Sequence, residues 1–219
     1  MEKQVLIALG REFGSGGREI ARRLAERLGL PLYDQNMLEQ IAETYQMELD
    51  TLKRYDEAPR KLVFSRRVNG YSNSPEDNVA QMEFTYIKDL AEQGKSFVVL
   101  GRCAEEILKD YPGLISIFVR ADETFKTRRI LERGAESEQE ALVLMLKTDR
   151  KRRQYHDQFC AQKWGEAGTY DLVFTIEGTV KDNLTSELGT QEIRVGKTHI
   201  VKTTTFELEN GTILSCERK

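Results

Sequence analysis

The first thirty residues show two hydrophobic patterns, one after the other. Val5–Leu9 is a compact apolar run of strand length, and a glycine-rich stretch follows it. Beyond the glycines, Ile20, Leu24 and Leu28 keep the i, i+4 spacing of a helix that buries one stripe, and charged residues lie between them. Gly29 stands where a left-handed helix cap favours glycine. The pattern predicts a strand, a glycine loop and an amphipathic helix.

Four later apolar runs also have the length of strands. Leu32–Tyr33 is short, whereas Phe97–Leu100 and Leu114–Val119 are continuous runs, typical of strands covered on both faces. Leu172–Ile176 is the last of the four. Because strands alternate with helical segments along the chain, the sequence predicts an α/β fold with a mainly parallel sheet.

Helical signals fill the long intervals between these runs. Residues 36–93 are predicted to be mostly helical, with breaks near Pro59 and in the loop at 69–75. After the fourth strand, Asp122 caps a helix that runs to about residue 133. Ser137 opens the next helix with a Ser-x-x-Glu capping box.

The last thirty residues differ in character, because threonine and valine become frequent. Glu192–Val195 and His199–Thr205 are strand candidates, and Asn210–Gly211 is the dipeptide of a two-residue hairpin. We therefore divide the chain into a main domain at 1–186 and a small β-meander at 187–219. The meander edges pair with a second copy, giving a homodimer, or the meander covers the sheet; the sequence favours neither.

Composition limits the classes of function. The chain has 219 residues, and 33 basic against 36 acidic side chains leave a net charge of −3. This near-balance argues against a basic surface made for nucleic acid. The longest apolar run, Leu114–Val119, is far shorter than the roughly 18 residues of a membrane helix. The N-terminal apolar run leads into the glycine loop, so we interpret it as a strand and not as a signal peptide.

Cysteine and histidine are sparse. Cys103, Cys160 and Cys216 are widely spaced and odd in number, which fits neither a disulfide framework nor a CxxC metal site. With His156 and His199 as the only histidines, we expect no His-rich metal site. A reducing, cytoplasmic location is the expectation.

The glycine loop between the first strand and the first helix is a candidate anion site. Backbone N–H groups at a helix N-terminus bind phosphate, and glycines let the ligand approach closely. The dinucleotide fingerprint fails, because Glu19 stands where its third glycine belongs. The pattern GxxxxGK[ST] also fails, since it meets Arg18 and Glu19 in place of lysine and a hydroxyl. A glycine-rich turn without a ligand is the alternative, but its position favours phosphate.

Several stretches together resemble one known family. The opening ALGREFGSGGREIARRLAERLGLPLYD resembles the cytidylate kinase-like branch of P-loop nucleoside monophosphate kinases. The resemblance continues through FVVLGRC, ISIFVRADETFKTRRILE, DRKRRQYH and KWGEAGTYDLVF, and it covers roughly residues 4–177. It implies a three-layer P-loop kinase fold with a helical acceptor-binding insertion at 36–93, a lid region at 123–160, and ATP with Mg²⁺ as cofactors.

The resemblance also implies roles in the loop. Aligned on LAERLG, the family's lysine falls on Gly17 and its Mg²⁺-binding hydroxyl on Glu19. Arg18 is then the nearest replacement cation and Arg11 the second, because arginine clamps phosphate oxygens. Ser15 is the candidate hydroxyl. The phosphate-binding residues implied are Gly14, Ser15, Gly16, Gly17 and Arg18.

On the acceptor side the resemblance implies two residues. Asp34, at the end of the second strand, matches a contact to the acceptor nucleotide, and Arg102, after the third strand, matches the arginine that holds the acceptor's phosphate. The family's following Ser-Gly is replaced here by Gln35-Asn36, which leaves the nucleotide open. The alternative for Arg102 is a surface ion pair with Glu105 or Glu106.

Arginines also collect in the predicted lid. Phosphoryl transfer needs positioning and charge neutralisation, which lid arginines supply while they exclude water. The alternatives are a solvated helix face and a nucleic-acid patch, and the net negative charge weakens the second. Arg150 and Arg153 share a helix face while Arg152 points elsewhere, so the first two are preferred. The lid residues assigned to catalysis, with Arg18, are Arg128, Arg129, Arg150 and Arg153.

Other distinctive side chains have plainer interpretations: Trp164 as packing, His156 as a helix-end residue and Cys103 as an inert buried thiol. The favoured function is a kinase for a small acceptor, most simply a nucleoside monophosphate such as cytidylate. The alternatives are a non-catalytic nucleotide- or phosphate-binding protein and a kinase for a non-nucleotide small molecule. The expected partners are small-molecule nucleotides, with neither nucleic acid nor membrane.

Overall fold

The structure is a computed structural model that describes residues 4–60, 67–68, 71–177, 184–195, 199–208 and 213–218. The helices of the described residues are α1 (Gly17–Leu28), α2 (Met37–Tyr45), α3 (Leu49–Tyr55), α4 (Pro75–Glu92), α5 (Ala104–Ile107), α6 (Glu123–Leu131) and α7 (Glu138–Phe159). Their strands are β1 (Leu6–Arg11), β2 (Leu32–Tyr33), β3 (Arg67–Val68), β4 (Tyr71–Ser72), β5 (Phe97–Leu100), β6 (Leu114–Ala121), β7 (Leu172–Glu177), β8 (Leu184–Val195), β9 (His199–Leu208) and β10 (Ile213–Arg218).

A parallel sheet forms the centre of the molecule. Its first five strands stand in the order β2-β5-β1-β6-β7, and every neighbouring pair among them is parallel. In β1, Leu6 lies opposite Phe97 of β5 on one side and Leu114 of β6 on the other. The predicted α/β fold with a mainly parallel sheet is confirmed.

Helices cover both faces of this sheet. Along β1, Leu6 and Ala8 point into a core shared with α2, α3, α4 and α5, whereas Ile7 and Leu9 point into the core under α1 and α6. This alternation follows from the period of two along a strand. Because both faces are buried, the strand reads as a continuous apolar run. The result is the predicted three-layer arrangement.

The C-terminal strands continue this sheet. The last strand, β10, pairs antiparallel with β7, and β9 and β8 follow outward in antiparallel order. The predicted β-meander therefore extends the edge of the sheet and does not cover the sheet, whereas pairing with a second copy stays a prediction. Its outer strand begins at Leu184, and the Asn210–Gly211 turn lies outside the described residues.

Helix α1 differs in one respect from the predicted stripe. The residues that it buries are Gly17, Ala21 and Ala25, so that small side chains bring the helix close to the sheet. Leu28 is 50% exposed and lies outside the stripe, contrary to the prediction. Gly29 caps the helix with a φ of 65°, as predicted.

The predicted caps of the two later helices are present. The Asp122 carboxylate accepts from the Phe125 N–H, and α6 ends at Leu131, two residues before the predicted end. The Ser137 hydroxyl accepts from the Glu140 N–H at the start of α7. Within the part of the chain described above, no helix is long and apolar enough to cross a bilayer.

Candidate functional site

The glycine loop joins β1 to α1 in a conformation that glycine makes possible. Gly14 and Gly16 have φ angles of +83° and +84°, a region that disfavours other residues. Ser15 is fully buried between them; its hydroxyl donates to the Glu12 carbonyl at 2.8 Å and accepts from the Gly17 N–H at 3.4 Å. Ser15 thus holds the loop's shape, and its hydroxyl does not face a ligand, which differs from its expected role.

The loop also presents free hydrogen-bond donors. Among the described residues, the backbone N–H groups of Gly14, Gly16 and Arg18 have no protein partner. Two of these groups belong to the cap and first turn of α1, where the helix dipole favours an anion. The arrangement is a cradle for phosphate oxygens.

Gly17, where the resemblance places a lysine, has no room for a side chain. A Cβ there would lie 2.5 Å from the Cβ of Arg11, so any side chain would displace the loop or the strand. The next residue, Arg18, points away from the loop: its Nε lies 2.7 Å from Oδ2 of Asp34, and its side chain is 71% exposed. Arg18 therefore bridges the loop helix to the end of β2.

A cavity of about 210 Å³ lies against the loop. It opens beside a larger cavity of about 440 Å³, which Arg18, Asp34 and Arg133 also line. Arginines from four separate parts of the fold line the smaller cavity and outnumber its three carboxylates, so the lining favours an anion. These arginines are Arg11, Arg18, Arg133 and Arg152.

Arg102 lies at the end of β5, as predicted, but it is buried and fully bonded. Its side chain is 1% exposed, and a guanidinium has five N–H donors. The acceptors of its hydrogen bonds are Glu83, Asp34, the Leu100 carbonyl and both oxygens of Asp56. No donor is left for a phosphate, and Glu105 and Glu106 are not its partners. The structure therefore differs from both interpretations of Arg102.

The backbone around Arg102 is unusual. Gly101, Arg102 and Cys103 all have positive φ angles, of 78°, 59° and 52°. A Cβ on Gly101 would overlap both the Arg11 guanidinium and the Glu57 carboxylate, so glycine is required there. Consecutive left-handed residues are strained, and such strain concentrates at functional sites. This turn sets Arg102 beneath the floor of the cavity.

Two carboxylates near Arg102 have pKa values shifted in opposite directions. Glu57 makes two hydrogen bonds to Arg11, of 2.8 and 3.3 Å. Burial raises its pKa, but Arg11 and Arg102 outweigh burial, and its pKa lies well below the usual range. At Glu83, which is fully buried, burial dominates and raises the pKa to about 8. The pKa of Glu83 is thus shifted in the direction opposite to that of Glu57, although both face Arg102.

One lid arginine, Arg129 of α6, lies beside the loop. Its Nη2 is 3.0 Å from Oε2 of Glu19, and its guanidinium carbon is 3.7 Å from where a Cβ on Gly16 would lie. The same group lies 5.6 Å from the centroid of the Phe125 ring. Arg128, its neighbour, is half-buried.

On α7 the structure brings Arg152 to the loop, and not the predicted pair. Its Nη1 donates to the Arg11 carbonyl at 3.3 Å, and burial lowers its pKa to about 10. Arg150 and Arg153 are exposed. The structure differs from the preference for these two in this respect, because the buried face of α7 contains Met145, and Arg152 follows it by seven residues, two helical turns on the same face.

Comparison with known proteins identifies the relationship. The model of the cytidylate kinase-like family matches residues 6–177. This chain belongs to that family. The predicted resemblance over residues 4–177 is confirmed. No curated protein matches the sequence significantly.

The chain is also similar to solved structures. The crystal structure of an uncharacterized protein from Eubacterium ventriosum ATCC 27560 is 36% identical, with a TM-score of 0.62, and the match covers 80% of this chain and 89% of that one. A shikimate kinase from Bacteroides thetaiotaomicron is 16% identical, with a TM-score of 0.43 over 71% of this chain and 82% of that one.

Two further residues reach the loop of this cytidylate kinase-like chain, one from α6 and one from α7. Sequence reasoning missed Lys126, and it left Asp149 without an assigned role. Lys126 of α6 lies against Gly14, and its Nζ is 2.9 Å from Oε2 of Glu12. Asp149 of α7 accepts from the Phe13 N–H at 2.6 Å. Burial is the largest influence on Asp149 and raises its pKa to about 6. The basic helix around Asp149 was recognised, but its register was left open.

The site fits phosphate better than it fits Mg²⁺. Ser15 and Glu19, the candidates for a metal-binding oxygen, are bonded to the Glu12 carbonyl and to Arg129. Among the described residues that line the loop cavity, each carboxylate is also paired with a basic side chain. The pairs are Glu12 with Lys126, Asp34 with Arg18, and Glu57 with Arg11. The described residues that line this cavity thus offer Mg²⁺ no carboxylate that is free of a basic partner.

Proposed function

We propose that this member of the cytidylate kinase-like family transfers the γ-phosphoryl group of ATP to a nucleoside monophosphate such as cytidylate. The observation that carries the proposal is the cavity of about 210 Å³ at the glycine loop, where free backbone N–H groups and four arginines converge. Such a site does the two things that phosphoryl transfer requires of a protein, namely positioning and charge neutralisation.

The donor phosphates are held by the loop. The N–H groups of Gly14, Gly16 and Arg18 bind the phosphate oxygens, while Ser15 and Gly17 shape the turn. The acceptor oxygen forms a bond to the γ-phosphorus as the bond to the bridging oxygen breaks, and ADP leaves. Arg152 and Arg129 neutralise the charge that spreads over the moving phosphoryl group.

The acceptor is held where the two cavities meet. The exposed Arg18 releases Asp34 and binds the acceptor's phosphate, so that Asp34 is free to accept hydrogen bonds from the acceptor. Arg102 positions Asp34 from below and does not contact the acceptor. We therefore assign Arg102 a positioning role in place of a binding role.

Lid closure completes the site. Asp149 ties α7 to the loop through the Phe13 N–H, which keeps Arg152 against the cavity. Arg128 remains a candidate for the charge-neutralising set. Arg150 and Arg153 have no role in the arrangement described, since both are exposed and Arg153 lies over the Trp164 ring.

A second candidate function is non-catalytic binding of a nucleotide or phosphate. The crowding at Gly17 favours it, because no lysine fits the position from which the kinase lysine acts. A kinase for a non-nucleotide small molecule is the third possibility. Cytoplasmic location, the homodimer, and the exclusion of nucleic acid and membrane as partners stay predictions.

A transfer assay separates the three functions. The purified full chain is incubated with ATP and Mg²⁺ and with each nucleoside monophosphate, then with hydroxylated sugars and acids, and ³¹P NMR follows ADP and the phosphorylated product. A nucleoside diphosphate formed from cytidylate supports the proposal, and ATP binding without any product supports the second candidate. The variant Arg18→Ala should raise the KM for the acceptor, while Arg27→Ala, exposed on the last turn of the same helix, should not.

A further inference from the structure

A cluster of side chains with metal-ligating atoms lies apart from the phosphate cradle. It consists of Glu105, near the start of α5, and of His156 and Cys160, at the end of α7. One ligand atom from each, a carboxylate oxygen, a ring nitrogen and the sulfur, lies within 4.8 Å of the other two. His156 and Cys160 are four residues apart, which places them on one face at the helix end.

The ring nitrogens of His156 are buried beside carboxylates but make no hydrogen bond with them. The residue is 3% exposed, and among the described residues neither ring nitrogen makes a hydrogen bond. The Glu105 Oε1 atom lies 2.9 Å from Nε2 and the Asp157 Oδ1 atom lies 3.5 Å from Nδ1, but neither oxygen completes a hydrogen bond with the ring. A buried imidazole without hydrogen bonds is rare, so the pair calls for a further partner.

The donor set indicates what that partner is. A thiolate, an imidazole and a carboxylate together are ligands of Zn²⁺ and similar transition metals, whereas Mg²⁺ and Ca²⁺ take oxygen ligands. When a ring nitrogen and a carboxylate oxygen bind the same metal ion, the two atoms lie close together but make no hydrogen bond with each other. The relation of His156 to Glu105 has this form.

Space for a further ligand is present. A cavity of about 250 Å³ adjoins the three side chains and is lined also by Glu106, Lys109 and Thr169. Three protein ligands with an open fourth position are the pattern of a zinc site that holds water or another small ligand.

We propose that Glu105, His156 and Cys160 form a binding site for a single Zn²⁺-type transition metal ion, with the fourth coordination position open to the adjoining cavity. This site was not expected from the sequence, since Glu105 lies 51 residues before His156 and no metal-binding spacing joins them. The proposal does not depend on the proposed kinase activity.

The position of the site gives the metal a structural consequence. It would join the end of α7 to the start of α5, directly after the left-handed turn at Gly101–Cys103. Arg152 lies one helical turn before His156 on α7. A metal ion bound here therefore holds the lid helix in the position that keeps Arg152 at the phosphate cavity.

Cobalt substitution tests the site directly. The full chain, freed of metal and kept reduced, is titrated with Co²⁺, which gives a sulfur-to-cobalt charge-transfer absorption when a thiolate binds. We expect one Co²⁺ per chain, displacement by one equivalent of Zn²⁺, and at least a tenfold loss of affinity in Cys160→Ser and His156→Gln. The control Glu106→Gln alters the same cavity without touching the proposed ligands and should bind like the parent.

The other two cysteines make the assignment specific. Cys103→Ser and Cys216→Ser should each keep the charge-transfer band. A misfolded Cys160→Ser variant would also lose the band, so X-ray absorption of the parent Zn²⁺ complex provides a second measurement. We expect one sulfur ligand together with nitrogen and oxygen ligands. Absence of saturable binding, a band that survives Cys160→Ser, or a zinc ion with no sulfur or with two would overturn the proposal.

Discussion

The Asp149 carboxylate accepts a 2.6 Å hydrogen bond from the backbone N–H of Phe13 and so joins helix α7, part of the predicted lid, to the glycine loop. Asp149 is half-buried, and burial raises its pKa to about 6. The same contact thus fixes the loop and introduces a titratable group between the loop and the lid.

The raised pKa of Asp149 predicts a pH dependence of stability. The folded protein holds the proton more tightly than the unfolded chain, so the free energy of unfolding should fall as pH rises from about 4 to about 6. The fall in the free energy of unfolding that Asp149 causes over this pH range should be on the order of 1–3 kcal/mol, and Asp149→Asn should remove it. Urea unfolding at pH 4, 5, 6 and 7 measures it. Asp50→Asn, at an exposed position of α3, is the control, and an unchanged slope in Asp149→Asn would contradict the assignment.

Removal of Arg102 should be strongly destabilising. Asp56, Glu57 and Glu83 would face one another in a buried space without their shared cation. Breaking a buried ion pair from one side costs about 3–5 kcal/mol. Arg102→Ala should therefore lower the free energy of unfolding by about this amount in urea titrations. A variant of normal stability with only a raised KM for the acceptor would show instead that Arg102 binds substrate directly.

Gly17→Ala tests the close packing of the loop. A methyl group would lie 2.5 Å from the Cβ of Arg11, so the loop must shift and nucleotide affinity should fall at least tenfold. Gly168→Ala is the matched control, because a Cβ there meets nothing within 4 Å. Calorimetric titration with ATP compares the two variants. Equal ATP affinities of the two variants would mean that the conformation of the glycine loop does not determine phosphate binding.

The two faces of α7 should differ in their effect on turnover. Arg152 lines the cavity, whereas Arg150 is exposed. Loss of one preorganised donor to a developing charge costs about 100-fold to 1,000-fold in kcat. We expect Arg152→Ala to lose about 100-fold and Arg150→Ala to keep the parent's kcat. Steady-state assays measure the kcat of both variants. A larger loss of kcat in Arg150→Ala than in Arg152→Ala would support the helix face that was preferred from the sequence.

The layout of the fold could be predicted because its signals are local. The apolar run at Phe97–Leu100 is a strand buried on both faces, and Leu114–Val119 is a strand buried on both faces from Ser116 onward. The caps at Asp122 and Ser137 could also be predicted, because a capping side chain and its backbone partner lie within three residues of each other. The direction in which the last strands turn was not predictable, since nothing in the sequence pairs β10 with β7.

The side-chain arrangement of the site required the structure. Helix periodicity shows which residues of α7 share a face but not which face meets the loop, and so Arg152 was passed over. Arg102 occupies its predicted place, yet its partners Asp56 and Glu83 lie in the helical insertion, where no spacing connects them to it. Lys126 was missed because it reaches the loop from α6 and not from α1.

The central claim is tested most directly by ³¹P NMR of the full chain with ATP, Mg²⁺ and cytidylate. Our account predicts that the γ-phosphate signal of ATP disappears as ADP and cytidine diphosphate appear, at a rate that Arg152→Ala lowers about 100-fold. Saturable ATP binding without transfer to cytidylate, to another nucleoside monophosphate or to a non-nucleotide acceptor would contradict it, and would leave a phosphate-binding protein that lacks kinase activity.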